Sequence, residues 1–591
     1  MTAAAKHVLG RPRLVACLRD YRRADFFADL GAGITVGVVA LPLAMAFAIA
    51  SGVPPQAGIY TAIIAGFLIS ALGGSRVQIG GPTGAYIVVV YGIVSRYGVQ
   101  NLVICTLGAG AILAAMGALR LGGLIRFIPV SIVIGFTNGI AVLILLSQVK
   151  DFLGLAVTLP DEFFARLRTL VISAGELRLP DVVVGALSLA VLLLWPKPVR
   201  SSGAVLDAEA HGTLAPPTPA PAPPRDRAFG HAVRRGAGLL VRVPGPILVL
   251  VVASLACALL AVPLATIGTR FGGIPTGLPE FALPVLSLSS MRDLIAPTIT
   301  IALLGAIESL LSARVADAMI GDRHDPNQEL IAQGVANLVA PLFGGIPATG
   351  AIARTATNVR TGARTPVAGM IHALTLLVIV LAGAPLAKYI PLAALSAVLI
   401  VVAINMGDWN AFAELRRYSV PYRVVLLTTF VFTVAFDLST AVEVGLVLAS
   451  LFFIYRVSDL TRVEAVASGD PRVAAYRVFG ALFFGSVAKL EPLLEADPAA
   501  RVVVLDMHQV ISMDNTALET LESLRHTLSE RGGALLLCAL NPHPDVQVRR
   551  STFGKSLGAD NVLPDFAAAL QRAQELAGTP ECAGSAARPS A

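Results

Sequence analysis

Two stretches decide how this chain reads: Gly80-Gly81-Pro82-Thr83-Gly84-Ala85 and Gly344-Gly345-Ile346-Pro347-Ala348-Thr349-Gly350-Ala351. Each stands at the head of a short apolar run, over 82–95 and 348–359. Proline has no N–H to continue a helix, and glycine weakens a helix interior by about 1 kcal/mol. Each stretch therefore breaks one helix and starts another. A helix start leaves backbone N–H groups without intrahelical partners and carries roughly half a positive charge. Two such ends aimed at one point hold an anion without a dedicated cation. Gly84 and Gly350 let a ligand approach the backbone, and Thr83 and Thr349 offer hydroxyls to it or cap the helices. Either stretch alone also suits an ordinary helix start with tight packing. The pairing is what favours an anion site.

Outward from these stretches the pairing continues. Asp29-Leu30 matches Asp293-Leu294, Gly73-Gly74 matches Gly344-Gly345, and Thr83-Gly84-Ala85 matches Thr349-Gly350-Ala351. Ile128-Pro129 matches Ile390-Pro391, and all four offsets fall between 262 and 271 residues. Ordered matches at near-constant offset indicate duplication. Apolar runs of bilayer-crossing length recur from Phe27 to Tyr455. Fourteen are expected, at 27–49, 55–72, 82–95, 101–119, 128–148, 181–195, 244–264, 293–313, 328–344, 348–359, 366–384, 391–405, 421–437 and 440–456. Seven per half is odd, so the second copy starts on the opposite face of the membrane. Inverted repeats of this kind place a substrate near the midplane, where broken helices meet.

Composition agrees. The 591 residues are 55% hydrophobic and 14% charged, with mean hydropathy +0.75. Soluble chains carry about 25% charged residues. A soluble enzyme as the main body, a disordered chain and a disulfide-rich secreted domain are excluded. Five scattered cysteines without a CxxC pair support neither disulfides nor zinc. The net charge of +7 is spread over loops between apolar runs, which argues for membrane topology and against a nucleic-acid partner. Lys6, Arg11, Arg13, Arg19, Arg22 and Arg23 place segment 1–25 in the cytoplasm, and its lack of an apolar stretch predicts no cleavable signal.

The expected membrane domain spans 26–460, interrupted at 201–235 by a proline-rich cytoplasmic insertion. After Arg456, strand-like Val478–Phe484, Val502–Leu505 and Ala534–Leu540 alternate with helix-like Thr516–Ser529 and Phe566–Ala577. This predicts a small cytoplasmic α/β domain at 472–578 and a disordered tail at 579–591.

Two charges inside the apolar runs single themselves out. Glu308 lies mid-run, with Ser312 four residues on and on the same helical face. An intramembrane carboxylate is a functional candidate, for carrying a proton or for ligating Na⁺ with Ser312. Its structural alternative is a structural hydrogen bond or an ion pair with Arg354, which lies one turn into the run at 348–359. Arg354 is expected to raise the positive potential of the site, to pair with a carboxylate, or to reach the surface. Pro42 is expected to kink the first span, and Phe47 beyond it lines a cavity or packs. No phosphate-binding GxxxxGK[ST] loop and no HExxH motif occurs, so no enzyme activity and no cofactor beyond a coupling H⁺ or Na⁺ is expected.

Pro42 to Ala50, Gly73 to Ala85, Leu304 to Ala316 and Gly344 to Asn358 together resemble the sulfate permease (SulP) family, bacterial relatives of solute carrier family 26. The likeness runs from Ala24 to Leu576. Gly305 to Leu311, Ala351 to Arg354 and Lys150 to Leu155 are most similar to a bacterial C4-dicarboxylate uptake member. The resemblance implies a homodimer of fourteen-span chains in a bacterial cytoplasmic membrane, with a core domain moving against a gate domain. It implies an anion facing Thr83, Gly84 and Ala85 from span three and Gly350, Ala351 and Arg354 from span ten. Glu308 then matches the coupling carboxylate and Ser312 a hydroxyl ligand of sodium-coupled members. Leu43 and Ala353 stand where many members carry Gln and Ser, which removes two polar groups and weakens an assignment to sulfate. Leu505-Asp506-Met507 and Met513-Asp514-Asn515-Thr516-Ala517 resemble a STAS domain, where Thr516 falls on a position phosphorylated in some soluble relatives. A cytoplasmic protein partner for that domain is implied. The expected function is secondary active transport of sulfate, bicarbonate or a C4-dicarboxylate. An uncoupled channel or exchanger, or a sensor signalling through the STAS domain, are the alternatives.

Overall fold

The computed structural model describes residues 11–123, 128–160, 162–195, 244–260, 263–274, 277, 280–284, 291–436, 438–490, 492–495 and 500–578. The expected insertion at 201–235, the tail at 579–591 and Lys6 lie outside the described residues. The chain divides into two compact units at Leu446/Val447.

The first unit is helical. Its first half holds α1 (Arg13–Arg19), α2 (Arg23–Ala50), α3 (Pro55–Leu72), strand β1 (Gly80–Gly81), α4 (Tyr86–Tyr97), α5 (Val99–Ala118), α6 (Val130–Leu153), α7 (Phe163–Ile172) and α8 (Leu179–Leu194). The second holds α9 (Gly245–Leu260), α10 (Ile267–Phe271), α11 (Met291–Ile320), α12 (Pro326–Val339), β2 (Thr349–Gly350), α13 (Ile352–Arg360), α14 (Val367–Ala387), α15 (Leu392–Met406), α16 (Trp409–Ala413), α17 (Val420–Ala435) and the start of α18 (Leu438–Leu460), which runs on into the second unit. Every expected apolar run meets a helix.

Six described helices are long and apolar enough to cross a membrane, and a seventh span arises if the pair 163–176 and 179–194, bent by 114°, counts as one. Five more apolar helices are shorter, α4 and α15 among them. The helices at the two Gly/Pro stretches start late: α4 opens at Tyr86 and not at 82, and α13 at Ile352 and not at 348. The residues before them are taken by β1 and β2. Pro42 lies inside α2, which continues through it for 28 residues.

Small residues let these helices approach at backbone distance, the mode of packing that works where lipid gives no hydrophobic drive. A Cβ on Gly110 of α5 would meet Gly334 O of α12 at 2.8 Å, and one on Gly334 would meet Ala114 N at 2.4 Å. Gly33 of α2 faces Ala368 of α14 in the same way, and Gly135 of α6 faces Leu426 of α17. The pairings sort the helices into two bundles. α2, α3, α5, α11, α12, α13 and α14 form one; α6, α8, α9, α15 and α17 form the other.

The second unit holds β3 (Arg462–Val466), β4 (Val473–Leu482), α19 (Pro492–Glu495), β5 (Val502–Met513), α20 (Asn515–Glu530), β6 (Ala534–Cys538), α21 (Pro542–Arg550), α22 (Thr552–Leu557), β7 (Val562–Leu563) and α23 (Phe566–Gly578). The sheet order is β3-β4-β5-β6-β7, antiparallel at β3–β4 and parallel elsewhere. Side chains alternate across β5. Val503, Leu505 and Met507 pack under Leu521 and Leu524 of α20, while Val502 and Val504 pack under Ala569 and Ala573 of α23. The continuous apolar run Val502–Leu505 that marks β5 in sequence is this two-sided burial. The edge strand β3, outside the expected 472–578, is added by pairing with β4.

Candidate functional site

The two Gly/Pro stretches meet. β1 and β2 pair antiparallel, Gly80 opposite Gly350 and Gly81 opposite Thr349, and the Ala351 amide donates to Ile79 O at 2.8 Å. Residues 268 and 270 positions apart in sequence thus complete each other's backbone hydrogen bonds. An unpaired strand in lipid would cost several kcal/mol per group, so each half supplies what the other lacks. Neighbours fix the stretch before β2. Asn337 accepts from Ala348 N at 2.8 Å and donates to Ala348 O at 2.8 Å, and Thr61 Oγ1 accepts from Ile346 N at 2.7 Å.

α11 is the post to which both stretches are tied. From the first half, Thr83 Oγ1 donates to Glu308 Oε2 at 2.9 Å, Gln78 Nε2 donates to Ser309 O at 3.1 Å, and Tyr86 OH donates to Ile301 O at 2.9 Å. From the second, Thr349 Oγ1 donates to Gly305 O at 3.1 Å and pairs with Ser309 Oγ at 2.7 Å. Ser309 Oγ in turn accepts from Gly350 N at 3.3 Å. Ser312 Oγ pairs with Thr355 Oγ1 at 3.2 Å, which accepts from Ile79 N at 3.0 Å. Gly305 is small by necessity, because a Cβ there would lie 2.4 Å from the Tyr86 hydroxyl.

The two threonines therefore differ in role. Thr349 belongs to β2, is wholly buried, and has its hydroxyl engaged by α11. Thr83 lies past β1 in the turn before α4 and holds the Glu308 carboxylate. The expected equivalence of the two, by motif spacing, gives way to the strand register, in which Gly81 opposes Thr349. Neither threonine caps a helix: α13 has Ala351 at its N-cap and α4 has Ala85, both without a side-chain capping bond. At α4 the Tyr86 and Ile87 amides turn back to Thr83 O and Gly84 O. The amides of Gly84 and Ala85 stand ahead of them. At α13 the first amides have no intrahelical partner.

Arg354 is buried in the first turn of α13 and donates from Nη2 to Pro82 O, so a side chain of the second half grips the first half's turn. Its Nη1 has no hydrogen-bond partner and stands 2.7 Å from where a Cβ on Gly81 would be. Among the described residues no ion pair joins Arg354 to Glu308. Glu308 and Ser312 engage different residues, Thr83 and Thr355, and among the described residues no group of three or more His, Cys, Asp and Glu gathers as a metal site.

The α4 end faces the second bundle. A Cβ on Gly84 would lie 3.4 Å from Met406 Sδ of α15, 3.5 Å from Ile144 Cδ1 of α6 and 3.7 Å from Phe47 Cε1 of α2. Phe47 thus lies with Gly84 at the seam between the bundles. In the second unit, Thr516 follows the α20 N-cap Asp514, whose carboxylate accepts from Ala517 N at 2.9 Å and Phe484 N at 3.1 Å.

Sequence reading missed Ser309, Gln78, Asn337 and His372, polar residues buried in the first bundle. It also missed Asp29 as a structural group: that carboxylate accepts from the Arg364 and Thr365 amides at 2.7 and 3.1 Å. A cleft of about 500 Å³ beside it is lined by Arg13, Tyr21, Arg76 and Arg364.

Comparison with known proteins bears on this arrangement. The sulfate permease family model matches residues 26–429, and the STAS domain model matches 464–569. A putative sulfate transporter of Bacillus subtilis, YvdB, is 39% identical over 552 residues, covering 91% of this chain and 96% of its own. The bicarbonate transporter BicA of a Picosynechococcus species is 26% identical over 523 residues, covering 84% and 85%. In structure, the murine Slc26a9 anion transporter in its inward-facing state superposes with a TM-score of 0.79 at 18% identity, covering 95% of this chain and 94% of that one.

Proposed function

From the premise that the chain belongs to the sulfate permease family and is one of its anion transporters, we propose that it carries a small oxyanion or dicarboxylate by proton-coupled alternating access. The anion occupies the space in front of Gly84, Ala85, Ala351 and Arg354. The observation that carries this reading is the union of β1 with β2, which ties together the segments leading into α4 and α13, with the Arg354 guanidinium bonded to Pro82 O. Arg354 supplies a full positive charge and the helix starts supply amides. Gly84 at the bundle seam puts the anion where relative movement of the bundles exposes it to one side and then the other.

Glu308 is the coupling group in this reading. Its hydrogen bond from Thr83 links its proton to the turn that holds the anion. A proton is favoured over Na⁺ because Ser312, the expected second ligand, is paired with Thr355. Cytoplasmic termini, a bacterial inner membrane, a homodimer and a protein partner for the STAS domain belong to the same proposal.

The test is uptake of sulfate, bicarbonate and succinate into proteoliposomes under imposed pH and Na⁺ gradients. A pH gradient should drive uptake of at least one of the three, and a Na⁺ gradient should not. Flux indifferent to both gradients defeats coupling. Glu308→Gln should keep anion binding and lose the response to pH.

A further inference from the structure

His372 lies in α14, wholly buried, and neither ring nitrogen has a hydrogen-bond partner. Folded interiors seldom leave polar groups in that state, so the ring calls for a physical reason. The elements packed around it offer none. α3 presents Gly66, where a Cβ would lie 3.7 Å from the ring's Cε1 and Nδ1, and α2 presents Gly37, where a Cβ would lie 3.1 Å from the His372 carbonyl oxygen. α3 has no charged side chain, and its one titratable group, Tyr60, lies nearly two turns before Gly66. On α2, Asp25 is engaged by Arg364 and Asp29 by the 364–365 amides, and Arg23 is at the exposed start of the helix.

β1 lies next to the ring. The Gly80 carbonyl oxygen is 3.1 Å from the same Gly66 Cβ position, and Gly81, the next residue, has Arg354 Nη1 against it. Two buried polar groups without hydrogen-bond partners, an imidazole and a guanidinium nitrogen, thus flank two glycines of the strand that builds the candidate site.

From this juxtaposition we propose that His372 takes up a proton when an anion settles beside Arg354 and releases it when the anion leaves. The inference rests on the anion reading given above. A neutral imidazole accepts a proton on its bare nitrogen while the other keeps its N–H, so solvent gives up one proton and no other bond changes. In an empty site the guanidinium opposes a second positive charge nearby, strongly so in a medium of low dielectric. A bound anion offsets that charge and admits the proton. Reciprocity then requires the proton to tighten the anion by the same factor. With a dianion, Arg354 and the protonated ring together balance both negative charges.

Proton uptake on anion binding tests this, by titration calorimetry of the purified full-length protein in two buffers of different ionisation heat. The probe is whichever of sulfate, succinate and bicarbonate shows uptake. The wild type should take up at least one proton per anion, with affinity rising as pH falls. His372→Gln should take up about one proton fewer per anion than wild type, and its affinity should depend less on pH. Binding to wild type with no proton uptake overturns the inference without needing a variant. Proton uptake undiminished in His372→Gln also overturns it, yet leaves coupled transport standing. Absence of transport and binding for all three anions defeats the anion reading itself. His372→Asn serves as a second variant if Gln does not fold.

Discussion

Arg354 commits one terminal nitrogen to Pro82 O and holds the other beside Gly81 without a partner. A guanidinium does both because its donors are fixed in a planar fork; an ammonium concentrates its donors at one point. Arg354→Lys keeps the charge and loses this geometry. We expect uptake to fall at least tenfold, about 1.4 kcal/mol, measured in proteoliposomes; activity within twofold of wild type would show that charge alone suffices. Gly81 is the second sensitive residue. Its φ of +144° lies where side chains strain the backbone, and any Cβ collides with Arg354 Nη1. Gly81→Ala should cost about 1–3 kcal/mol and lower the thermal midpoint together with transport. An unchanged midpoint with normal uptake would mean that the β1 turn relaxes freely.

Between residues and the whole stand the elements, and there Asn337 carries weight. Its amide satisfies both backbone groups of Ala348 just ahead of β2. Asn337→Ala leaves a buried N–H and a buried C=O unpaired, at about 1–3 kcal/mol each. Amide exchange at 348–351 should speed up while that of distant α6 stays unchanged; equal protection in both proteins would remove Asn337 from the support of the site. The helices themselves were readable from sequence, because apolar length and Gly/Pro punctuation are local signals. Glu308 and Arg354 were readable because charge is rare in such runs. The β1–β2 pair was not, since two residues are too few for any periodicity and their partners lie 268 and 270 positions away. Ser309 and His372 were hidden for a different reason. A small or uncharged polar residue in an apolar helix looks the same whether it faces a neighbour, a ligand or nothing, and only tertiary packing distinguishes these. The motif match of Thr83 with Thr349 misled in part, because identical tripeptides sit at different positions relative to the strand.

At the scale of the whole chain, the two units respond to different conditions. In the second, Asp506 is buried beneath the sheet, which pushes its carboxyl pKa up. Hydrogen bonds from Arg477 Nε at 2.9 Å, His508 Nδ1 at 2.8 Å and the His508 amide at 3.2 Å outweigh burial, and the net shift is downward. A carboxylate with a lowered pKa stabilises the fold above its unfolded value of about 3.9, and that contribution fades as pH falls through the folded value. Amide protection along β5 should therefore drop in acid, and Asp506→Asn should flatten that dependence. A variant as acid-sensitive as wild type would assign the effect to other groups. Leu505→Ala, by contrast, should weaken the same unit at every pH, by about 2–5 kcal/mol, since it removes core volume and no charge.

The union of β1 with β2 also orders events during synthesis. When Gly80 and Gly81 are added to the nascent chain, the residues that will pair with them lie about 270 positions from synthesis. Their amides and carbonyls have no counterpart while the intervening helices enter the bilayer, and lipid offers none. The nascent first half must wait in a wet or protein-lined shelter, and an N-terminal fragment ending before Thr349 should be trapped there and cleared by membrane proteases.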